Sequence, residues 1–346
     1  MKNISKCFVL TGVISFGVCL NAFATVEQKP AAAKLTGQII IDGSSTVYPV
    51  SEAVAEAFGS VAENKSVQVK VAQSGTGGGF QKFCRAETDI SGASRPIKES
   101  EKDLCAKNGV KFIELPIAYD GIAIVVNKKN SSIKSITTAD LKRIWEPNSS
   151  VKVWGDIGPA FAQNKNLKNE KIKLYGPGPE HGTFDYFTET IVGKEKSIRS
   201  DFSAINPDVI VTAVKGDPNA LAYFGFAYYY ENRDKLGLLA VDGGKGPVLP
   251  SATTIADGTY QPLSRPIFIY VSEKATNRPE VSAFVNFYIK NVPELASQVG
   301  YVPLPKKVND LVGSRFQKKI TGSIYETSKP GSKLSLQQLL SQRGKP

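Results

Sequence analysis

Three short stretches of the chain gather hydroxyl and glycine residues: Gly43-Ser44-Ser45-Thr46, Ser74-Gly75-Thr76-Gly77-Gly78-Gly79 and His181-Gly182-Thr183. Each follows a short apolar run and precedes a segment whose apolar residues recur at helical spacing. The first N–H groups of a helix have no intrahelical partner, and the positive end of the dipole adds to them. Small hydroxyl residues at such a place either cap the helix or leave donors for an anion. One such loop does not separate the two uses. Three in one chain favour a shared site, because strand-end loops of an open α/β sheet converge at one edge.

Other chemistries find few residues to use. Gly75 and Gly77 do not complete G-x-G-x-x-G, since Phe80 stands at the third glycine, and no Lys-Ser or Lys-Thr follows to make a P-loop. His181 is the only histidine, and no G-x-S-x-G elbow accompanies it. Two mature cysteines and one histidine do not supply a usual tetrahedral zinc set. No catalytic residue, metal or cofactor is therefore expected.

The elements that must position these loops read as alternating strands and helices. "QIII", "SVQVKVAQ", "TDISGASRPI" and "KIKLYG" are short strands, and helical patterns follow the first two and the last. "KFIELPIAYDGIAIVVN" holds two apolar runs parted by Tyr119-Asp120-Gly121, a candidate domain crossing, and "SRPIFIYV" is a candidate return. This alternation predicts an α/β fold with mostly parallel sheets. At 346 residues two domains are expected.

Export decides how the cysteines and charges read. Lys2 and Lys6, an apolar core and Ala22 to Ala24 fit a cleaved signal peptide over 1–24, with the mature chain starting at Thr25. Cys7 and Cys19 leave with it, so Cys84 and Cys105 are expected to form a disulfide. Its loop of about twenty residues contributes about 3 kcal/mol in the chain-entropy model. The net charge of +11 comes from scattered lysines without aromatic interleaving, which speaks against nucleic acid and for a solvated surface that attracts anions.

Several long motifs carry a resemblance: "IDGSSTVYPVSEAVAEAF", "SGTGGGFQKFC", "TDISGASRPI", "ELPIAYDGIAIVVN", "LYGPGPEHGTFDYFTE", "YFGFAYY" and "PLSRPIFIYV". Over residues 38 to 305 the chain resembles the phosphate-binding proteins of bacterial phosphate ABC transporters, the PstS type. That resemblance implies a type II periplasmic binding protein, two α/β lobes joined by two crossing strands. It places lobe I at 36–117 plus 268–325, lobe II at 118–267 and a tail at 326–346. It implies a periplasmic monomer that closes on inorganic phosphate and delivers it to a membrane permease.

Carried over by position, the resemblance puts Ser45, Thr46 and the backbone of Val47 in the first anion loop. Thr76 and Gly77 fall in the second, and His181, Gly182 and Thr183 in the third. Two departures stand out. Some members have an Asp after "GAS" that accepts the proton of hydrogen phosphate and so rejects sulfate; here that residue is Arg95. The same members carry an Arg where Pro177 stands, so Arg95 is expected to supply the cation, or else to be a surface salt-bridging residue. Asp120 and Asp185 are the carboxylates that could restore the proton test. A receptor for sulfate or another tetrahedral oxyanion, and an exported phosphatase, are the competing readings.

Overall fold

The computed structural model describes residues 34–130, 132–179, 181–326 and 334–342. The expected signal peptide over 1–24 lies outside them. The apolar runs become strands: β1 (Thr36–Gly43), β2 (Ser66–Ala72) and β3 (Ile90–Ala93) lie parallel, and β4 (Phe112–Asn127) is buried along its whole length. The others follow as β5 (Ser135–Thr137), β6 (Lys173–Gly176), β7 (Ser203–Ala204), β8 (Ala220–Gly225), β9 (Leu236–Leu238), β10 (Ala240–Asp242), β11 (Pro247–Val248), β12 (Ser264–Ser272) and β13 (Val302–Pro303). Pairing runs β2-β1-β3-β12-β4-β8-β6-β7. Strands β9 and β13 also join β4, and β5, β10 and β11 form a separate sheet.

Strand β4 belongs to both halves of the molecule. Residues 112–121 pair antiparallel with β12, and residues 122–127 pair antiparallel with β8 and β9. Tyr119-Asp120-Gly121 therefore sits inside one unbroken strand, and the exchange of partners falls at Gly121–Ile122. The sheet is mixed rather than mostly parallel. Strand β12 returns along β4, so the two crossing segments oppose each other while the outer strands keep the parallel order of their crossovers.

Each half has helices of its own, and the buried apolar residues of both join one continuous core. The first carries α1 (Tyr48–Ser60), α2 (Gly75–Phe83) and α3 (Glu99–Lys107). The second carries α4 (Thr138–Trp145), α5 (Pro159–Ala162), α6 (Gly182–Phe187), α7 (Pro207–Gly216), α8 (Phe226–Glu231) and α9 (Ala252–Ala256). After the return, α10 (Pro279–Gln298) and α11 (Lys306–Gln317) pack on the first half. There Phe58 meets Phe284 edge-on at 5.2 Å between centroids. In the second half Tyr223 stacks on Phe187 at 3.7 Å and receives the edge of Trp145. Such aromatic pairs contribute about 0.5–1.5 kcal/mol beyond area burial.

Cys84, at the end of α2, and Cys105, in α3, form a disulfide across 21 residues of sequence. Within the tail, α12 (Leu336–Gln342) buries Leu336, Leu339 and Leu340 and packs on α11. One close approach sets the geometry of the strand ends. A Cβ on Gly43 would lie 2.1 Å from the Gly92 carbonyl oxygen, so only glycine lets the ends of β1 and β3 bring their loops this close.

Candidate functional site

The first loop spends little on capping. Helix α1 begins after Val47, whose position makes no side-chain cap bond, and Pro49 lies in its first turn. Within the loop Ser44 Oγ accepts from the Thr46 N–H at 3.2 Å, and the Ser44 carbonyl accepts from the Val47 N–H at 3.0 Å. Ser45 and Thr46 turn their hydroxyls across the molecule instead. Ser45 Oγ donates to Asp185 Oδ2 at 2.8 Å. Thr46 Oγ1 donates to the Gly182 carbonyl at 3.4 Å and accepts from Arg265 Nη2 at 3.3 Å.

The second loop is held from below by Asp42, at the end of β1. Its Oδ1 accepts from the Ser74 N–H at 2.8 Å, and its Oδ2 bonds Lys82 Nζ. Burial opposes the charge on Asp42, but Lys82 and the Ser74 N–H together hold its pKa below the usual value. The carboxylate thus ties the start of α2 to β1. Thr76 Oγ1 lies 3.1 Å from Ser94 Oγ and accepts from the Ser94 N–H at 3.3 Å. Two hydroxyls from successive strand-end loops therefore stand side by side.

Opposite these loops is a charge cluster on the crossing strands. Arg265 and Asp120 are direct cross-strand partners in the β12–β4 ladder. Arg265 Nε lies 3.5 Å from Asp120 Oδ2 and Nη1 lies 3.9 Å from Glu189 Oε2. The guanidinium also sits over the Tyr186 ring at 3.6 Å from its centroid, a desolvated cation–π contact. Asp120 is 1% exposed. Burial pushes its pKa up to about 6, with the Arg265 charge opposing the rise.

These groups enclose a cavity of 380 Å³. Ser45, Thr46, Thr76, Gly77, Ser94 and Arg95 line it from the first half, Asp185 and Glu189 from the second, and Arg265 from the crossing strand. Asp185 Oδ1 accepts no hydrogen bond, and Lys196 Nζ stands 3.9 Å from it. The arrangement supplies hydroxyl and guanidinium donors together with a carboxylate acceptor, which suits an anion that itself carries a proton.

Not every expected residue reaches this cavity. The Val47 side chain is buried at 1% exposure, and its N–H is taken by Ser44; both are spent on the turn and the core. His181 and Thr183 line a second cavity, also of 380 Å³, with Tyr48 and Tyr228. Ser45 and the Gly182 contact divide the two spaces. A Cβ on Gly182 would lie 2.4 Å from Thr46 Cα, and this approach turns the third loop's side chains to the far side. His181 Nε2 is 3.3 Å from Asn206 Oδ1 there.

Arg95 lines the cavity but is engaged by a carboxylate. Its guanidinium forks onto Glu101, Nη1 to Oε2 at 2.9 Å and Nη2 to Oε1 at 2.8 Å. A second arginine of the cavity, Arg265, and the hydroxyl of Ser94 were not among the residues expected from sequence. A signal for Arg265 was present. "SRPIFIYV" places one arginine at the mouth of a buried strand, and "AYDG" places one aspartate inside another. Two opposite charges in runs otherwise apolar imply a pair, because neither can be buried alone.

Comparison with known proteins agrees with the fold. Residues 28–292 match the family model of the PBP superfamily domain. Protein SphX of Synechococcus elongatus is 45% identical over 291 residues, 83% of each chain. The phosphate-binding protein PstS of Staphylococcus saprophyticus is 37% identical over 292 residues, 82% of this chain and 88% of that one. The crystal structure of a possible phosphate binding protein from Planctomyces limnophilus superposes with a TM-score of 0.76 at 40% identity, covering 83% of this chain and 99% of the other. A mixed α/β chain of two halves on a shared pair of crossing strands, with hydroxyl loops facing each other across them, thus belongs to the PBP superfamily and, within it, to the PstS-type phosphate-binding proteins.

Proposed function

We propose that the chain binds inorganic phosphate in the cavity between its halves and hands it, in the periplasm, to the permease of an ABC importer. The observation that carries this reading is the use of Ser45 and Thr46. Neither hydroxyl caps α1: Ser45 turns to Asp185 and Thr46 to the part-buried Arg265, both beside one small cavity. The phosphate-binding relatives support the ligand.

In this reading Ser45, Thr46, Thr76 and Ser94 donate hydroxyls to the anion and Arg265 supplies the charge. Gly182 sets the approach of the two walls, and His181 and Thr183 make no contact with the ligand. Asp185 accepts the proton of hydrogen phosphate, in place of the carboxylate that Arg95 displaces after "GAS". An oxyanion with no proton meets only repulsion there. Capture closes the halves 36–117 plus 268–325 and 118–267 about β4 and β12. The register of those strands slips by one residue between Ile267 and Phe268, a natural place for bending. Phosphate favours the closed state by the contacts it makes to both walls at once.

Calorimetric titration of the exported protein with phosphate and with sulfate tests the reading. Phosphate binding, with sulfate silent in the parent and gained in Asp185→Asn, is the expected result. Sulfate binding as tight as phosphate in the parent overturns the role of Asp185, and absence of phosphate binding overturns the function.

A further inference from the structure

Arg265 is asked to serve two partners. Asp120, its cross-strand neighbour, compensates it, and among the described residues the buried Asp120 Oδ2 accepts no hydrogen bond. The same guanidinium reaches Thr46 Oγ1 at the wall of the cavity. An anion seated against Thr46 would share one cation with a carboxylate whose Oδ2 has no other partner among the described residues.

We infer that Asp120 is a positioning and charge-setting residue for the anion site, taking up a proton from solvent when an anion claims Arg265. This rests on the phosphate reading above and adds a proton to its stoichiometry. The step is an acid–base one: the new O–H bond forms on the Asp120 carboxyl, and the cluster of anion, guanidinium and neutral acid loses one negative charge. Without that proton, two negative groups would compete for one buried cation, a costly state at low dielectric.

The surroundings leave Asp120 as the group that answers. Tyr186 on α6 and Tyr301 before β13 face the pair, and burial holds both phenols protonated far above neutral pH. Glu189 touches the other edge of the guanidinium from an exposed position. Burial already places Asp120 at about 6, and a bound dianion raises it further, since a like charge disfavours the ionised form. Below about pH 6 Asp120 is protonated with or without the ligand, and above the raised value it is ionised in both. Between the two, binding takes up a proton, so affinity falls as pH rises, by up to about tenfold per pH unit.

Calorimetry with inorganic phosphate in buffers of differing ionisation heat counts the protons. The probe's own titration is common to the parent and to Asp120→Asn, so the difference between them isolates the carboxyl. The expected result is greater proton uptake per phosphate in the parent between pH 6 and 7, with a shallower affinity profile in Asp120→Asn. Equal proton counts overturn the inference alone, whereas a parent that binds no phosphate overturns the reading on which it rests. If Asp120→Asn does not fold, infrared difference spectra of the parent decide. A protonated-carboxyl band that appears with phosphate and moves on aspartate isotope labelling supports the inference, and its absence at pH 7 overturns it.

Discussion

The two walls of the cleft are built on different principles. The loop wall, from Ser45 to Ser94, is made of hydroxyls and backbone amides held by short-range bonds, such as the Asp42 carboxylate under Ser74 and the Thr76–Ser94 contact. Its glycines allow strand ends to touch, as at Gly43 and Gly92. The crossing-strand wall is made of charge, with Arg265 and Asp120 brought together across 145 residues of sequence by strand register. The first wall gives shape and donors, with Lys98 and the Glu101-paired Arg95 beside them. The second provides the attraction and, being buried, must balance it. Neither would hold an anion alone: hydroxyls lack the charge to draw a dianion from water, and a bare guanidinium would not distinguish one anion from another.

If the attraction resides in the crossing strands, Arg265→Ala should have the largest effect. Phosphate affinity should drop at least a hundredfold, because the variant loses its charge-assisted donor and leaves Asp120 facing the anion. Stability should fall as well, by about 3–5 kcal/mol, since removing one partner of a buried pair leaves the other uncompensated. The pH dependence gives a signature. Without Arg265 the Asp120 carboxyl rises further above about 6. The destabilisation is therefore full only above that raised value, shrinks as pH falls from there towards about 6, and is lost below about 6. Thermal melts of parent and variant from pH 5 to 8 measure it. A constant difference across that range would place the effect in packing over Tyr186 instead.

The contact between the walls comes next. Gly182→Ala sets a methyl group 2.4 Å from Thr46 Cα, so the halves must part or the loop must shift. Overpacking of this kind costs about 1–3 kcal/mol, and under the proposed closure the strain falls on the closed state. Phosphate affinity should weaken about tenfold or more while the melting temperature of the ligand-free protein changes little, because opening relieves the clash. A lowered melting temperature with unchanged affinity would show that the contact belongs to the fold rather than to closure.

How much of this was visible in the sequence follows the same division. Turn chemistry is local, so the hydroxyl loops, the strand–helix alternation and the Cys84–Cys105 pair could be read from neighbouring residues. Strand β4 was legible as apolar, but not as one strand serving two partners, because exchange at Gly121–Ile122 depends on β8 and β12. Position alone leaves Arg95 either as the cation or as a salt-bridging residue. Glu101, six residues on, claims it through a fork that only α3 makes possible. Arg95→Ala should accordingly lower stability by about 1.5–3 kcal/mol, the value of charged hydrogen bonds. Phosphate affinity should change by no more than about threefold, as for a partly screened charge. A larger loss of affinity than of stability would return Arg95 to the anion.

The smallest effect is expected where sequence suggested one of the most informative. His181 precedes the third glycine-threonine turn, and a lone histidine beside an anion would tie affinity to pH. The fold separates it from the cavity. Gly182 packs against the Thr46 backbone, and Ser45 with Asp185 closes the gap. His181 is left lining the space shared with Tyr48 and Tyr228, its Nε2 near Asn206. Replacement by serine changes a half-exposed side chain on the far side of that wall, where substitutions move free energies by about 0.5 kcal/mol or less. His181→Ser should therefore leave phosphate affinity within about twofold of the parent and leave its pH profile unaltered, while Asp120→Asn flattens that profile. Titrations of the two variants side by side put the pH response either on the crossing strands or on the third loop. A profile flattened by His181→Ser and untouched by Asp120→Asn would move the anion through the Ser45–Asp185 wall and into the second cavity.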